Sequence, residues 1–460
     1  MTTTAYSHSI DSLKELIPYT EDAIKSLYES PADKKPIDRI EIQIPKTDIQ
    51  KWFALQNSKM KLFWSDRTDC FKIAGIEYAE MLQNGSDNKH TELFAQIKKQ
   101  VESSEYPIRY FGGMKFDAST EISKEWKSFG SSCFILPRFE MSQVDDRFIF
   151  SVNFRFPSDG DNLQEILQQL HSLNFDESAV NHPENALVKR FDFPDKPQWI
   201  KMIEAAVESC SDRIFNKIVL ARKTELRFQD KLDISSVFNR LYQNSSNCFH
   251  FCFQLSENSA FMGATPERLY FRNIDELKCE AIAGTTKRSL DPDLDVKRGE
   301  ELLSSDKNIK EHQYVIDSIL EAFDNLKIDT SKLDTNNVGL VKLKRIQHLI
   351  KRFNCKLNDS ISDFDLIDNL HPTAAVGGYP KKDIRTHIYD FENFDRGWYA
   401  APIGWISKER AEFAVAIRSG LISNERLNLY SGAGIIADSQ PELEWDEIET
   451  KISNFLKTLS

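Results

Sequence analysis

Apolar positions along the chain follow two periods, and the places where one gives way to the other mark out its elements. Residues 110–116, 133–138 and 148–156 are rich in aromatic and β-branched side chains with partial alternation, as sheet strands are. The N-terminal third therefore reads as strands with a few helices, and it carries no legible chemistry. Two polar, glycine-containing stretches, 83–88 and 157–162, interrupt it as loops. After Pro194-Asp195-Lys196-Pro197 the period becomes helical, with Ile200, Met202, Ile203, Ala206 and Val207 on one face behind Trp199. Strands return at 218–221, 249–255 and 269–271. From Asp306 a helix is predicted with Ile309, Val315, Ile316, Ile319, Leu320 and Phe323 along one side, and a second around Ile346, Leu349, Ile350 and Phe353. Beyond the Gly/Pro-rich stretch 372–380 come strands at 400–407 and 413–418, then a closing helix over 441–459. Helices occur in groups among runs of strands, not in regular βαβ alternation, which predicts an α+β fold.

Composition narrows the function classes. The chain has 460 residues, 40% of them hydrophobic and 31 of them Phe, enough to build a large core; the length corresponds to three average domains or one unusually large one. A net charge of −12 argues against a nucleic-acid partner, because phosphate recognition needs clustered cationic surface. The first thirty residues, with Asp11, Lys14, Glu15, Glu21 and Asp22, hold no apolar run that would serve as a signal peptide, and no uncharged apolar stretch reaches membrane-spanning length. A cytoplasmic protein without a membrane partner is expected. The seven cysteines are scattered and contain no Cys-x-x-Cys pair, so reduced thiols packed as small hydrophobes are expected.

Candidate chemistry begins at Lys217 and runs to the closing helix. Glu444, Glu447 and Lys451 stand at i, i+3 and i+7 of the closing helix, on one face, directly after Ser431-Gly432-Ala433-Gly434, which reads as a glycine turn. A solvated charged face is the ordinary explanation of such a stripe. Glu311 falls on the apolar side of its helix, four and eight residues before Val315 and Ile319, where a carboxylate needs a cation or strong hydrogen bonds. Carboxylates on two helices could together hold a hard divalent cation, and oxygen-only ligation favours Mg²⁺ over zinc. Lys217 heads an otherwise apolar strand; it either caps the strand end or, if buried, acts as a base. Glu267, in a turn between two strands, is a general acid or a partner of Arg268. The glycines of 432–434 and 376–378 fit no phosphate-loop spacing, so tight turns with close backbone approach are expected. His312, His348 and His371 lack metal-ligand spacing, which leaves core or supporting roles.

The order of these motifs is more specific than any one of them. Asn216-Lys217-Ile218-Val219-Leu220-Ala221-Arg222, residues 263–269, Glu280-Ala281-Ile282-Ala283-Gly284-Thr285, 307–312, 370–380, Arg396-Gly397-Trp398-Tyr399, Ile417-Arg418 and 432–451 together resemble the chorismate-utilising enzymes. The resemblance spans about 195–456, and more weakly from Gly112, and implies one large domain over 1–460 built of two packed, mainly antiparallel sheets flanked by helices. Within the family the likeness is to the isochorismate synthases, which carry a lysine where this chain has Lys217. The amine-using members resemble one another in having glutamine there, and aminodeoxychorismate synthases place a lysine where Ala283 stands.

That resemblance implies a monomeric isomerase that uses chorismate and Mg²⁺, its product feeding menaquinone, siderophore or salicylate synthesis. It implies Lys217 as the base that activates water and Glu267 as the acid that protonates the departing ring hydroxyl. Glu311 and Glu447 would bind Mg²⁺, with Glu444 supporting its water shell. Tyr399, Arg418 and the Gly432 backbone would receive the enolpyruvyl carboxylate; Gly284, Thr285 and Lys451 would lie near the ring carboxylate, with His348 and Ala375 also against substrate. Asn308 replaces a glutamate of the salicylate synthases, and Ala375 a threonine. The alternatives are a salicylate synthase, which would go on to eliminate pyruvate, and an inactive family member that serves as a binding partner.

Overall fold

The computed structural model describes residues 7–29, 34–85, 90–175, 185–331, 333, 338–342 and 346–459. Its strands form one hydrogen-bonded network, antiparallel except where Ser7–Ser9 runs parallel to Ile37–Ile44. The long strand Ser132–Val144 is where the network divides. One arm passes through Phe71–Asn84, Lys61–Ser65, Phe249–Ser256, Ser259–Thr265, Ser419–Ser423 and Arg426–Ile435 to Lys217–Phe228 and the exposed edge strand Leu187–Phe193. The other passes through Tyr110–Met114, Pro402–Ile406, Arg410–Val415, Arg268–Asn273 and Glu276–Lys287 to Ile346–Lys356. The fold is thus mixed helix and mainly antiparallel sheet, as the grouping of elements predicts. Between the arms sits an aromatic core in which Trp126 meets Phe261 edge-on at 5.1 Å and Phe129 meets Trp398 at 5.3 Å.

Two helices set the site. Asp306–Asn325 packs on Glu276–Lys287, and Pro441–Leu459 packs on Arg426–Ile435. Ser305 caps the first by accepting the Asn308 amide. The helices Leu16–Glu29, His90–Ser103, Ile234–Asn244 and Pro292–Leu303, not singled out by periodicity, fill the outside.

Five expectations are corrected. The stretch around Ile346, Leu349, Ile350 and Phe353 is a strand, Ile346–Lys356, paired from Lys287↔Ile346 to Glu276↔Lys356. Its apolar spacing also fits a helix, but from Lys351 burial alternates residue by residue, and a full partner strand decides the outcome. Ile309 does not join its helix's apolar side: it is 43% exposed, in a first turn whose Lys307 and Asn308 line a cavity. Gly432, Ala433 and Gly434 lie inside the strand Arg426–Ile435 rather than in a turn. The strand expected over 413–418 ends at Val415, and Arg418 follows in a turn at φ +50°. Of the loops, 157–162 is a turn leading into the helix Leu163–His171, whereas Gln83 and Asn84 still belong to a strand and 86–88 lie outside the described residues.

Candidate active site

A cavity of about 330 Å³ opens between the two sheet arms and the two helices. Of the residues singled out by sequence, Glu267, Gly284, Thr285, Glu311, His348, Ala375, Tyr399, Arg418, Gly432, Glu444, Glu447 and Lys451 all line it. Lys217 stands one layer behind, 1% exposed, with its Nζ 3.0 Å from Glu311 Oε1. The glycine strand explains this approach: a Cβ on Gly434 would sit 2.9 Å from both Glu311 Oε1 and Lys217 Cε, so only a bare backbone lets the pair cross it.

Glu267 is buried in the turn between Ser259–Thr265 and Arg268–Asn273, with its carbonyl bonded to the Val415 amide. Burial pushes its carboxyl up to about 7, against the opposing pull of Lys217, Arg418 and the hydroxyl of Thr373. A carboxyl that holds its proton near neutrality can serve as a general acid. The turn is held from below by Arg67, whose guanidinium donates to the Pro266 carbonyl at 3.1 Å and in a fork to Glu280 at 2.7 and 2.8 Å.

His348 links two walls of the cavity. Arg418 Nη2 donates to its Nε2 at 3.1 Å, which leaves the ring proton on Nδ1, within 2.9 Å of Thr285 Oγ1 and 3.1 Å of the Gly284 carbonyl. Burial, reinforced by Arg418, pulls the imidazole down to about 3, so it is neutral and Arg418 keeps the local positive charge. The carbonyl of Gly284 points to His348 because the strand bulges between Ala283 and Thr285. Tyr399 stacks on Tyr430 with centroids 5.4 Å apart, and Ala400 beside it is held at φ +58°. Left-handed backbone at Ala400 and Arg418, two non-glycine residues flanking one cavity, is strain of the kind that ligand sites retain.

The three carboxylates come from two helices, and each is met by a lysine: Glu311 by Lys217, Glu447 by Lys451 at 2.7 Å, and Glu444 by Lys307 at 3.7 Å. Burial and then the neighbouring Glu447 push the Glu444 carboxyl up, while Lys451 pulls Glu447 down. Burial works against charge on Lys451, yet Glu447 and Glu311 hold it above its ordinary range; its Nζ also donates to the Gly432 carbonyl at 2.9 Å. Among the described residues no three acidic, histidine or cysteine groups close into a cage. A hard cation that keeps part of its water shell needs only one or two carboxylates, and this oxygen-only set of three fits one.

Several residues at the site escape sequence reasoning. Arg67 lies more than two hundred residues from Glu280, Thr373 is one small polar residue in a turn, and Glu392 pairs with Arg396 behind the cavity. His312 and His371 are buried on the carbonyls of Ala281 and Phe116 and stay out of the cavity.

A cavity that sets a proton-holding carboxyl beside an arginine and two lysines, with three carboxylates that would take a divalent cation, suits a small polyanion. The chain belongs to the chorismate binding enzyme family, which it matches over residues 22–460. Among its relatives is the isochorismate synthase MenF of Bacillus subtilis (strain 168), 32% identical over 416 residues, with 87% of this chain and 88% of that one covered. A chloroplastic isochorismate synthase of Catharanthus roseus is 31% identical over 86% of this chain and 69% of its own. The solved structure of MenF, the menaquinone-specific isochorismate synthase from Escherichia coli, superposes with a TM-score of 0.84 at 26% identity, covering 97% of this chain and all of that one.

Proposed function

We infer that the protein is an isochorismate synthase, an isomerase that moves the hydroxyl of chorismate from ring carbon 4 to ring carbon 2. The observation that carries this reading is Glu267, a carboxyl buried in the cavity wall and raised by burial to about 7 against the pull of the buried Lys217. Lys217 takes a proton from the water that attacks carbon 2, and Glu267 gives one to the hydroxyl leaving carbon 4. One water enters and one leaves, so the step is balanced and reversible. Paired acid and base help of this kind is worth roughly 10²–10⁴-fold each.

Arg418, held by neutral His348, and Tyr399 with the Gly432 backbone receive the enolpyruvyl carboxylate. Lys451, Gly284 and Thr285 lie toward the ring carboxylate, and Ala375 contributes a small wall over the ring. Glu311 and Glu447, with Glu444 beside them, would hold Mg²⁺, whose charge balances that of the ring carboxylate. Local cationic groups offset the protein's net charge of −12 for a dianionic substrate. The seven free thiols, six of them buried, favour a reducing compartment, in keeping with a cytoplasmic enzyme, and among the described residues no helix is long and apolar enough to cross a membrane. The MenF relatives favour menaquinone synthesis as the use of the product.

The test is to incubate the protein with chorismate and Mg²⁺ and resolve the products by chromatography at neutral pH. Isochorismate approaching equilibrium with chorismate is expected. Salicylate and pyruvate accumulating as fast as isochorismate forms would make it a salicylate synthase, and aminated product from ammonium would overturn the role of Lys217.

A further inference from the structure

Behind the cavity, Glu392 and Arg396 form an ion pair with side chains 2% and 4% exposed. Arg396 Nε donates to Glu392 Oε2 at 2.8 Å and its Nη2 to Oε1 at 2.5 Å, a fork that fixes both planes. Two further guanidinium donors go to backbone carbonyls. Arg396 Nη1 binds the Val376 carbonyl at 2.9 Å and Nη2 the Val219 carbonyl at 2.7 Å, while Glu392 Oε1 accepts the Ala221 amide at 2.7 Å. The guanidinium lies over the Phe116 ring at 4.3 Å, and the Arg396 carbonyl accepts the Tyr399 amide at 3.0 Å.

These bonds fall on one edge of the strand that Lys217 heads. That edge pairs with Gly378–Tyr379 at Lys217 and Ile218, and the Val219 amide reaches the Gly377 carbonyl. There the neighbouring strand stops, and the next backbone groups, the Val219 carbonyl and Ala221 amide, are taken by Arg396 and Glu392. Two side chains thus do what a partner strand would do, and they do it while gripping the turn of Ala375 and Val376 and the turn of Tyr399.

We propose that Glu392 and Arg396 are positioning residues for the reaction: they fix the distances between the Lys217 strand, the Ala375–Val376 wall and Tyr399, without touching substrate. This rests on the isochorismate synthase reading. Among the described residues the pair bonds none of the helices that carry Glu311, Glu444 and Glu447 and reaches them only through the Lys217–Glu311 contact, so loosening it should misplace the ring and its enolpyruvyl group far more than the cation's donors. A misplacement of about 1 Å costs on the order of 10²-fold in rate.

The experiment compares wild type with Glu392→Gln and Arg396→Lys. Glutamine keeps an acceptor for the Ala221 amide but not the charge; lysine keeps the charge but cannot reach both carbonyls and the carboxylate at once. For each, kcat and KM for chorismate are measured per folded molecule, along with the Mg²⁺ concentration giving half-maximal rate. The expected result is a loss of roughly 10²-fold in kcat/KM, a raised KM for chorismate, and an Mg²⁺ requirement within twofold of wild type. Folded variants with wild-type kcat and KM, lowered only in melting temperature, would overturn the proposal, as would an equal rise in the Mg²⁺ requirement. If Glu392→Gln does not fold, Arg396→Lys decides. Wild type that fails to make isochorismate defeats the functional reading itself; wild type that makes it beside unaffected variants defeats only the positioning role.

Discussion

Replacing Glu267 with glutamine tests the acid twice, once through chemistry and once through stability. Burial raises its carboxyl from the ordinary 4.5 to about 7. Below 4.5 the folded and unfolded chains both hold the proton. Between 4.5 and 7 only the folded chain does, so stability falls as pH rises through that window and the loss is complete above it. At roughly 1.4 kcal/mol per tenfold, the gap amounts to about 3 kcal/mol. Glutamine carries no charge and escapes that loss. Relative to wild type, Glu267→Gln should therefore gain up to about 3 kcal/mol between pH 4.5 and pH 8, while kcat drops roughly 10²–10⁴-fold. Urea unfolding of both proteins at pH 5 and pH 8, in EDTA so that no cation contributes, measures the first; chorismate turnover measures the second. A stability difference that is the same at both pH values would refute the burial argument, and wild-type turnover would remove Glu267 from the reaction.

The same carboxyl sets a pH limit: kcat/KM of the wild type should decline as pH rises past about 7, as the acid loses its proton, and a rate that stays flat to pH 9 would contradict this. Lys217→Ala should lower kcat by at least ~10²-fold with a circular dichroism spectrum like wild type's; an active variant would mean another base. EDTA should stop turnover and Mg²⁺ restore it in preference to Zn²⁺, with Glu447→Gln needing far more Mg²⁺, whereas a normal rate in metal-free protein would remove the cation site. Ala375→Thr, which presses a larger side chain on the ring, should raise salicylate formation over the wild-type trace; an unchanged product ratio on the chromatogram would show that this wall does not set ring conformation.

Reading the chain in advance succeeds where one local pattern has one solution. The closing helix Pro441–Leu459 and the strand from Lys217 have flanks and apolar faces that admit no rival. Ile346–Lys356 fails because its spacing satisfies both periods, and only its pairing with Glu276–Lys287, about seventy residues upstream, resolves it. At the site, the family likeness points to residues around one cavity, yet spacing alone could not have shown that Glu311 and Lys217 meet, since 94 residues separate them. The glycines of 432–434 reveal the close approach but not its setting: a strand crossed by an ion pair looks, in sequence, like a turn. Arg67 gives no local signal at all, because its significance lies wholly in a fork to Glu280 from a region otherwise silent.

The way the two sheet arms share the cavity has a consequence for how the chain acquires it. Arg426–Ile435 pairs with Lys217–Phe228 across some two hundred residues, and Arg67 reaches Glu280 over 213. Contacts of such separation are slow to form, since the entropy of closing the loop is lost before any of the pairing is gained. Early collapsed forms will hold individual hairpins, such as Phe249–Ser256 with Ser259–Thr265, but none of the cavity. During refolding, recovery of substrate binding should therefore lag behind recovery of secondary structure and then appear as a whole, with no partly competent species on the way.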